Sequence, residues 1–534
     1  MMKAATAAFF NPLSTIIQMD NKMKNVQYLL VYLLLMISVS SAQLAEDFKE
    51  DKVKENKKEF SFIGYYFMRG EISDVAPQNE LLKGQVVGRL FGGNSTVTSD
   101  KYSTFMEQRF IPMITYTPRL FDGWAKMRMS FEFDWTWGDA NYSAGGNFGG
   151  AFAGDFVNMQ TQNLFIEFRP QKNVIVNAGL TRLFDNVRVP WYTFTSTLLN
   201  TGYRLAFWGS DATGIAVHYA ANNWRTKSAA YQLYENNVEQ NDDVSLIEQD
   251  FEYDIDTKTS IGISQWYLRD RASGEGGVSI LNQGLNSGLS NYNGVYNFNF
   301  GNEEYKADIF WTGIHFHGNP LLNQGRFGYN GFAITNYGNA RTKTQHVDIM
   351  GYAANLRMAY KYGKNSNDFF SIDGIFTSGD KKNISDGKYT GILTGNNWTA
   401  PGAVYFSSGL YLLLPHGNVV NRFNAAVIDI QNIGYGLASA ALTGSYDVVP
   451  NKFKIKSAVA TGFAPVAPYD GGNHIGTEVN LNLLYKLKVF MDLELHAAYL
   501  DLGDFFDDPV VNGNLDHRPK NPWTVFATLK WIMF

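Results

Sequence analysis

The sequence predicts an all-β fold, a transmembrane antiparallel β-barrel of about 18 strands, with 16 strands as the alternative. Three observations support this prediction. Long stretches of the chain alternate between apolar and polar side chains, which is typical of strands with one apolar face. Short and long connections also alternate, as they do at the two rims of a membrane barrel. Finally, 30 Tyr, 39 Phe and 50 Gly, with only 15 Pro, suit many aromatic-rich strands joined by turns.

The last segment of the chain shows the alternation most clearly. Between Trp523 and Trp531 every second side chain is apolar and those between are polar, with Phe526 as the one apolar exception. A strand rise of about 3.3 Å and a tilt of roughly 40° place the two tryptophans about 20 Å apart across a membrane. This separation matches the apolar band of a barrel with one indole at each interface.

A hairpin near residues 105–137 repeats the pattern. After the Asp122–Gly123 turn, six large apolar side chains between Met127 and Trp137 alternate with charged or hydroxyl side chains. A soluble β-sandwich can also alternate, but this apolar face is better explained by contact with lipid. The same alternation recurs in segments 164–169, 352–362, 478–487 and 491–499, whereas residues 305–317 cannot be assigned to faces.

The connections predict which rim faces which side of the membrane. Short turns are expected on the periplasmic rim, near residues 121–123, 170–173, 255–258, 363–368, 449–452 and 486–489. Long loops are expected on the extracellular rim, at about 139–158, 185–202, 272–292, 318–345, 379–420, 466–474 and 502–520.

Composition excludes several classes of protein. The chain has no cysteine, which excludes disulfide bonds and thiolate metal sites. A net charge of −5 over 534 residues argues against a nucleic-acid partner. The mean hydropathy of −0.21 argues against a helical membrane protein and suits a barrel with one polar and one apolar face.

The amino-terminal region predicts export. Two lysines, Lys22 and Lys24, precede an apolar run at 28–37 and then small residues, so we expect residues 1–42 to be an upstream extension and a signal peptide cleaved before Gln43. The charged stretch at 43–59 reads as a periplasmic arm, and 60–534 as the barrel.

Three features of the sequence resemble known outer-membrane proteins. Residues 372–380 (IDGIFTSGD) resemble strand endings in the alginate-export and related bacterial porin-like barrels, and the Asn- and aromatic-rich texture resembles proteins of Bacteroidota. The terminal Phe534 resembles the signal by which the barrel-assembly machinery recognises its clients. The resemblance implies a Gram-negative outer-membrane location, lipid and the assembly machinery as partners, and a lumen that passes anionic or sugar-like solutes. A homo-oligomer is a further possible assembly.

Polar side chains opposite the apolar faces are predicted to line a pore. Mutual pairing of these charges across the wall is the alternative interpretation. The predicted pore-lining residues are Arg109, Arg128, Glu132, Asp134, Glu167, Arg169, Arg357, Lys361, Lys454, Lys456, Glu478, Lys486, Asp492, Glu494 and His496.

The predicted loop at 379–420 contains an apolar run, Leu410–Pro415, that should not face water unprotected. It could fold into the lumen as a constriction, form a surface contact, or be an additional strand. All three alternatives remain open at this stage.

The sequence contains no recognisable catalytic or metal motif, so no enzymatic activity, cofactor or metal is expected. His315 and His317 share a face without an evident third ligand, and His496 reads as a hydrogen-bonding residue of the lumen. The sequence therefore predicts a channel for the passive or weakly selective passage of small hydrophilic solutes, with sugars or anions as candidates. A barrel that is plugged by its own loops and serves surface machinery or adhesion is the alternative.

Overall fold

The computed structural model describes residues 59–77, 96–137, 158–203, 211–236, 238–273, 298–393, 409–414, 416–418, 420 and 430–534. The predicted upstream extension, signal peptide and nearly all of the charged arm lie outside these ranges. So do most of the loops predicted at 139–158 and 272–292.

The described chain is almost entirely β-structure. Its strands are β1 (Phe60–Pro77), β2 (Thr96–Tyr116), β3 (Ala125–Thr136), β4 (Asn158–Gln171), β5 (Val174–Arg182), β6 (Asp211–Ala220), β7 (Trp224–Tyr234), β8 (Val244–Asp254), β9 (Thr259–Asp270), β10 (Lys306–Gly318), β11 (Phe327–Arg341), β12 (His346–Lys361), β13 (Phe369–Thr377), β14 (Lys388–Tyr389), β15 (Leu437–Val449), β16 (Phe453–Phe463), β17 (His474–Lys488), β18 (Met491–Leu502) and β19 (Trp523–Met533).

Helical structure is confined to short turns between strands. These are the α-helices α1 (Thr195–Leu198) and α2 (Pro509–Asn512) and the 3₁₀ turns Arg119–Phe121, Asn432–Gly434 and Asp504–Asp507. Among the described residues, no helix combines the length and apolarity needed to cross a membrane.

The sheet closes on itself. Neighbouring strands pair antiparallel, β13 pairs with β15, and β1 pairs with β19 from Gly64↔Met533 to Ser73↔Thr524. The two-residue strand β14 pairs parallel with β12 and does not form part of the wall. The wall is therefore a closed antiparallel barrel of 18 strands, which confirms the predicted fold class and settles the strand number against 16.

The outer surface carries a belt of exposed apolar side chains. One row crosses successive strands through the register partners Ile372, Leu442, Val459, Val479 and Tyr499, which are 44–63 % exposed. Large apolar side chains normally avoid water, and a continuous apolar band around a closed barrel is the surface that contacts lipid. The predicted alternation of apolar outward and polar inward side chains is confirmed on these strands.

The connections alternate in length, with one correction. Turns such as 172–173, 221–223 and 489–490 lie on one rim, and most of the long connections lie on the other. The long loop predicted at 318–345 is wrong, because β11 occupies residues 327–341 within it. This strand carries Phe332 and Ile334 on its inward face, so both of its faces contain apolar residues and the alternation is hidden.

Part of the interior is filled by apolar side chains from the connection between β13 and β15. Tyr389, Ile392 and Leu393 are buried there among inward residues of the wall. The Trp311 indole donates a hydrogen bond to the Leu393 carbonyl (3.0 Å), and the Leu393 amide donates one to Asn336 Oδ1 (3.0 Å). The interior is therefore not a uniform water-filled cylinder.

Replacement of Leu442 by Arg should destabilise the barrel in lipid by about 2–4 kcal/mol, because it places a charge in the middle of the apolar belt. The measurement is the free energy of unfolding in lipid vesicles by denaturant titration. Val489→Arg is the matched control, since Val489 is also exposed but lies in a turn at the rim, where the cost should be about 0–1 kcal/mol. Equal costs at the two positions would contradict the assignment of the belt.

Candidate functional site

The interior of the barrel is the candidate site, and all 15 predicted pore-lining residues lie on the inward side of their strands. Seven are buried: Arg128, Glu132, Asp134, Glu167, Glu478, Glu494 and His496. Seven are partly exposed: Arg109, Arg169, Arg357, Lys361, Lys454, Lys456 and Asp492. Lys486 is exposed at the rim, next to a register shift between β17 and β18.

Charged side chains of β2 and β3 pair with each other. The Arg109 guanidinium donates to both oxygens of Asp134, from Nε to Oδ1 at 2.7 Å and from Nη2 to Oδ2 at 2.8 Å. Its Nη2 is also 2.8 Å from Glu132 Oε1. Bidentate contacts of this kind are strong and directional. These two buried carboxylates are therefore engaged by the wall itself, as the pairing alternative anticipated.

A second charged cluster binds a connection into the barrel. Glu167 accepts hydrogen bonds from Arg128 Nε (3.1 Å), from Arg169 Nε (3.0 Å) and from the Tyr192 hydroxyl (2.5 Å). The Arg128 and Arg169 guanidinium groups each lie 4.9 Å from the centre of the Tyr192 ring. Burial raises the pKa of Tyr192, so its phenol remains a neutral donor. The predicted external loop at 185–202 is thus in part an inward-folded segment.

Charges on β7 and β8 are complementary in register. Arg225 pairs with Glu252 across the two strands, and Lys227 pairs with Asp250. The Lys227 ammonium is 2.8 Å from Glu248 Oε2 and 3.2 Å from Asp250 Oδ2. The sequence analysis missed these residues, although charges at every second position of both strands would have indicated them.

A second connection folds inward around Glu478 of β17. The backbone amides of Tyr411, Leu412 and Leu413 donate hydrogen bonds to its carboxylate at 2.8, 3.0 and 2.7 Å. Asn480 Nδ2 also donates to Glu478 (2.8 Å). Of the three alternatives for the apolar run, the structure supports insertion into the lumen; Leu410–Leu414 form no strand and are buried.

The inward segment rests on Phe526, the apolar exception of β19. The His416 and His496 rings stack on Phe526 with ring centres 5.2 and 4.3 Å away, and Tyr411 meets it edge-on at 5.4 Å. Burial, with the nearby Arg69 guanidinium, holds the pKa of His416 well below its usual range. His496 Nδ1 lies 3.0 Å from Asn482 Nδ2, which is hydrogen-bonding distance.

The inward segment that binds Glu478 also contacts β2 through Val420. The Val420 amide donates to Glu107 Oε1 (3.0 Å) on β2, and Arg109 Nη2 donates to the Val420 carbonyl (2.9 Å). Contacts therefore run from β17 to β2 across the inner surface.

A partly exposed cationic strip remains on β12 and β16, formed by Arg357, Lys361, Lys454 and Lys456. Arg357 Nη1 donates to Asn200 Oδ1 (3.2 Å), and Lys361 Nζ donates to the Leu322 carbonyl (2.9 Å). Within the described ranges, the side-chain ammonium groups of Lys454 and Lys456 make no direct ion pair or hydrogen bond, although both residues pair through their backbone with β15 and β17. These cations differ from the ion-paired charges of β2–β8, because their nearest carboxylates, such as Asp373 and Asp447 on the neighbouring strands, form no direct ion pair with them in the described part of the chain.

The architecture defines a class: this chain is a transmembrane β-barrel of the bacterial outer-membrane kind. A closed barrel satisfies every backbone hydrogen bond without water, and the apolar belt faces lipid while the interior is polar. The predicted outer-membrane location is confirmed at this level.

Comparison with known proteins finds remote structural similarity only. No protein-family model matches the chain, and no curated protein matches it. Similar solved structures include Acinetobacter baumannii OccAB4 (10 % identity, 89 % of this chain and 98 % of that chain, TM-score 0.43). They also include Pseudomonas aeruginosa OpdQ (9 %, 88 % and 98 %, 0.45) and the outer membrane channel DcaP of Acinetobacter baumannii (12 %, 89 % and 97 %, 0.41). Similarities at this level assign neither substrate nor selectivity, and the likeness to alginate-export barrels and Bacteroidota proteins stays a prediction.

Replacement of Glu478 by Ala should release the inward segment, because three buried backbone amides lose their acceptor at about 1–3 kcal/mol each. Hydrogen–deuterium exchange of the peptide covering 409–414 should accelerate by more than about 100-fold. Glu303→Ala is the control, since Glu303 accepts hydrogen bonds from Thr344 outside the strands. Unchanged protection of the peptide would show that Glu478 does not anchor the segment.

Proposed function

We propose that this protein is an outer-membrane channel for small hydrophilic solutes, with a preference for anions. The observation that carries the proposal is the cationic strip formed by Arg357, Lys361, Lys454 and Lys456. Its side chains are partly exposed within the barrel, whereas Glu132, Asp134 and Glu167 of β3 and β4 are buried in ion pairs.

The balance of exposed charge supports anion selectivity. Glu132, Asp134 and Glu167 are engaged by arginines, so they contribute little field to water inside the barrel. Unneutralised cations beside a narrow aqueous path raise the local concentration of anions. Passage would follow the concentration gradient, because selection by fixed charges requires no energy source.

The inward segments supply the constriction. The segment held by Glu478 and the one held by Glu167 both occupy space that would otherwise be lumen. A narrow path brings the solute close to the wall, where the potential of the fixed charges is strongest. Small solutes are therefore favoured over large ones.

A barrel plugged by its own connections is the second candidate. It is favoured by the apolar packing of Trp311 and Leu393 in the interior, where both side chains are buried. Such a barrel would serve as a scaffold for surface machinery or adhesion. Planar-bilayer recording separates the two functions, because only a channel conducts ions. Neither proposal includes an enzymatic activity.

The proposed partners are outer-membrane lipid and the barrel-assembly machinery. Lipid contact follows from the belt, and recognition of β19 by the barrel-assembly machinery rests on the terminal Phe534. A homo-oligomer is compatible with both functions.

The double substitution Lys454→Gln with Lys456→Gln should shift the reversal potential in a KCl gradient toward cation selectivity. Each charge within about 4 Å of a hydrated ion stabilises an anion and destabilises a cation by about 1 kcal/mol each, so the anion-to-cation permeability ratio should fall by up to about 30-fold per charge. Lys364→Gln is the matched control, because Lys364 is exposed in the turn between β12 and β13. An unchanged reversal potential would refute the role of the strip, and a wild-type protein that does not conduct would favour the plugged scaffold.

A further inference from the structure

Three chemically reactive side chains meet inside the barrel, away from the cationic strip. Glu252 lies on β8, and His315 and His317 lie two positions apart on β10. All three are buried, with 0, 1 and 6 % of their surface exposed. Their outward neighbours Phe251 and Ile314 are exposed, so the three side chains point to the interior.

The candidate ligand atoms of these three side chains face one another. Glu252 Oε2 is 3.8 Å from His315 Nδ1 and 4.0 Å from His317 Nδ1. Each of the three side chains offers one ligand atom that lies within 4.8 Å of the other two. None of these atoms has a hydrogen-bond partner in the described part of the chain. Buried polar atoms without partners are costly, so their convergence indicates a missing ligand.

The spacing suits a metal ion better than direct hydrogen bonds. Distances of 3.8 and 4.0 Å are too long for a hydrogen bond. Ligands about 2.0–2.2 Å from a common ion lie roughly 3.0–3.7 Å apart. The ligand atoms, which lie within 4.8 Å of one another, would therefore move closer by up to about 1 Å when an ion binds.

A glycine makes the convergence possible. Gly262 of β9 lies in register between Glu252 and His315. A Cβ atom at position 262 would be 2.1 Å from His315 Nε2, so any side chain there would displace the imidazole. The Nε2 edge of His315 is therefore packed against β9, and its Nδ1 edge is directed toward Glu252.

The surrounding charges orient the carboxylate. Arg188 Nη2 donates to Glu252 Oε1 (2.7 Å), and Arg225 Nη1 contacts the same oxygen. Arg225 also pairs with Asp254 (2.8 Å). The second oxygen of Glu252, Oε2, is not used by these arginine contacts and faces the two histidines. Partners that fix a ligand in this way are typical of the shell around protein-bound metals.

We propose that Glu252, His315 and His317 bind one divalent transition-metal ion, with Zn²⁺ as the representative probe. Two imidazoles and one carboxylate suit Zn²⁺ and related ions and disfavour Ca²⁺ and Mg²⁺, which prefer oxygen ligands. The ion would join β8 to β10 across the glycine of β9. Through the contact between Arg188 and Glu252, it would also fix the inward segment that follows β5. This proposal does not depend on the channel function.

The test uses the untagged chain refolded in detergent with ZnSO₄ and dialysed against metal-free buffer. Wild-type protein should retain about one zinc ion per chain by mass spectrometry of the metal, and X-ray absorption should show a nitrogen and oxygen shell with two imidazoles. Zinc affinity should fall by more than about 100-fold in His317→Gln and in Glu252→Gln, because each removes a direct ligand.

His218→Gln is the matched control, since His218 is also buried but lies on β6 against the Val187 carbonyl. Its zinc content should equal that of the wild type. The proposal is overturned if the wild type retains no zinc, or if folded ligand variants bind as tightly as the wild type. Folding is checked by the altered mobility of unheated barrels in SDS gels. If the variants do not fold, the wild-type absorption spectrum decides, and fewer than two imidazoles in the shell overturns the assignment.

Discussion

The pairing of β19 with β1 is the constraint on which the rest of the structure depends. In hydrocarbon no water is present to satisfy backbone amides and carbonyls, and each unsatisfied group costs several kcal/mol. Closure through the register from Gly64↔Met533 to Ser73↔Thr524 leaves the wall without a free edge. Once the sheet is closed, alternate side chains must face lipid and interior, and the period-two pattern of the sequence follows from that requirement.

The interior shows a second consequence of closure, because charges enclosed by the wall must be neutralised where water is excluded. The contacts of Arg109 with Asp134 and of Lys227 with Glu248 meet this requirement. Where water reaches the wall, as at Lys454 and Lys456, a charge can remain without a partner.

The barrel fold and the direction of the strand side chains, outward or inward, could be predicted from the sequence. Contact with lipid imposes a local alternation of apolar and polar residues, as in β19. The pattern failed at β11, where Phe332 and Ile334 face an apolar interior instead of water. The contacts of the site were beyond the local pattern, since Glu478 binds amides at least 65 residues away and Arg109 binds a carbonyl 311 residues away. Whether a connection extends outward or folds inward depends on such distant partners, so residue spacing alone could not decide it.

The position of Phe526 links the interior to the order of assembly. Its ring belongs to the last strand, the Arg69 guanidinium of the first strand lies 4.9 Å from its centre, and His496 of the penultimate strand stacks on it. The contacts of Phe526 therefore cross the junction between β19 and β1, and they are complete only when the two ends of the sheet have joined. The segment containing His416 consequently meets its full docking surface only in the closed sheet, because Glu478 and Phe526 come from the carboxy-terminal strands, whereas Glu107, which binds the Val420 amide, comes from an amino-terminal strand.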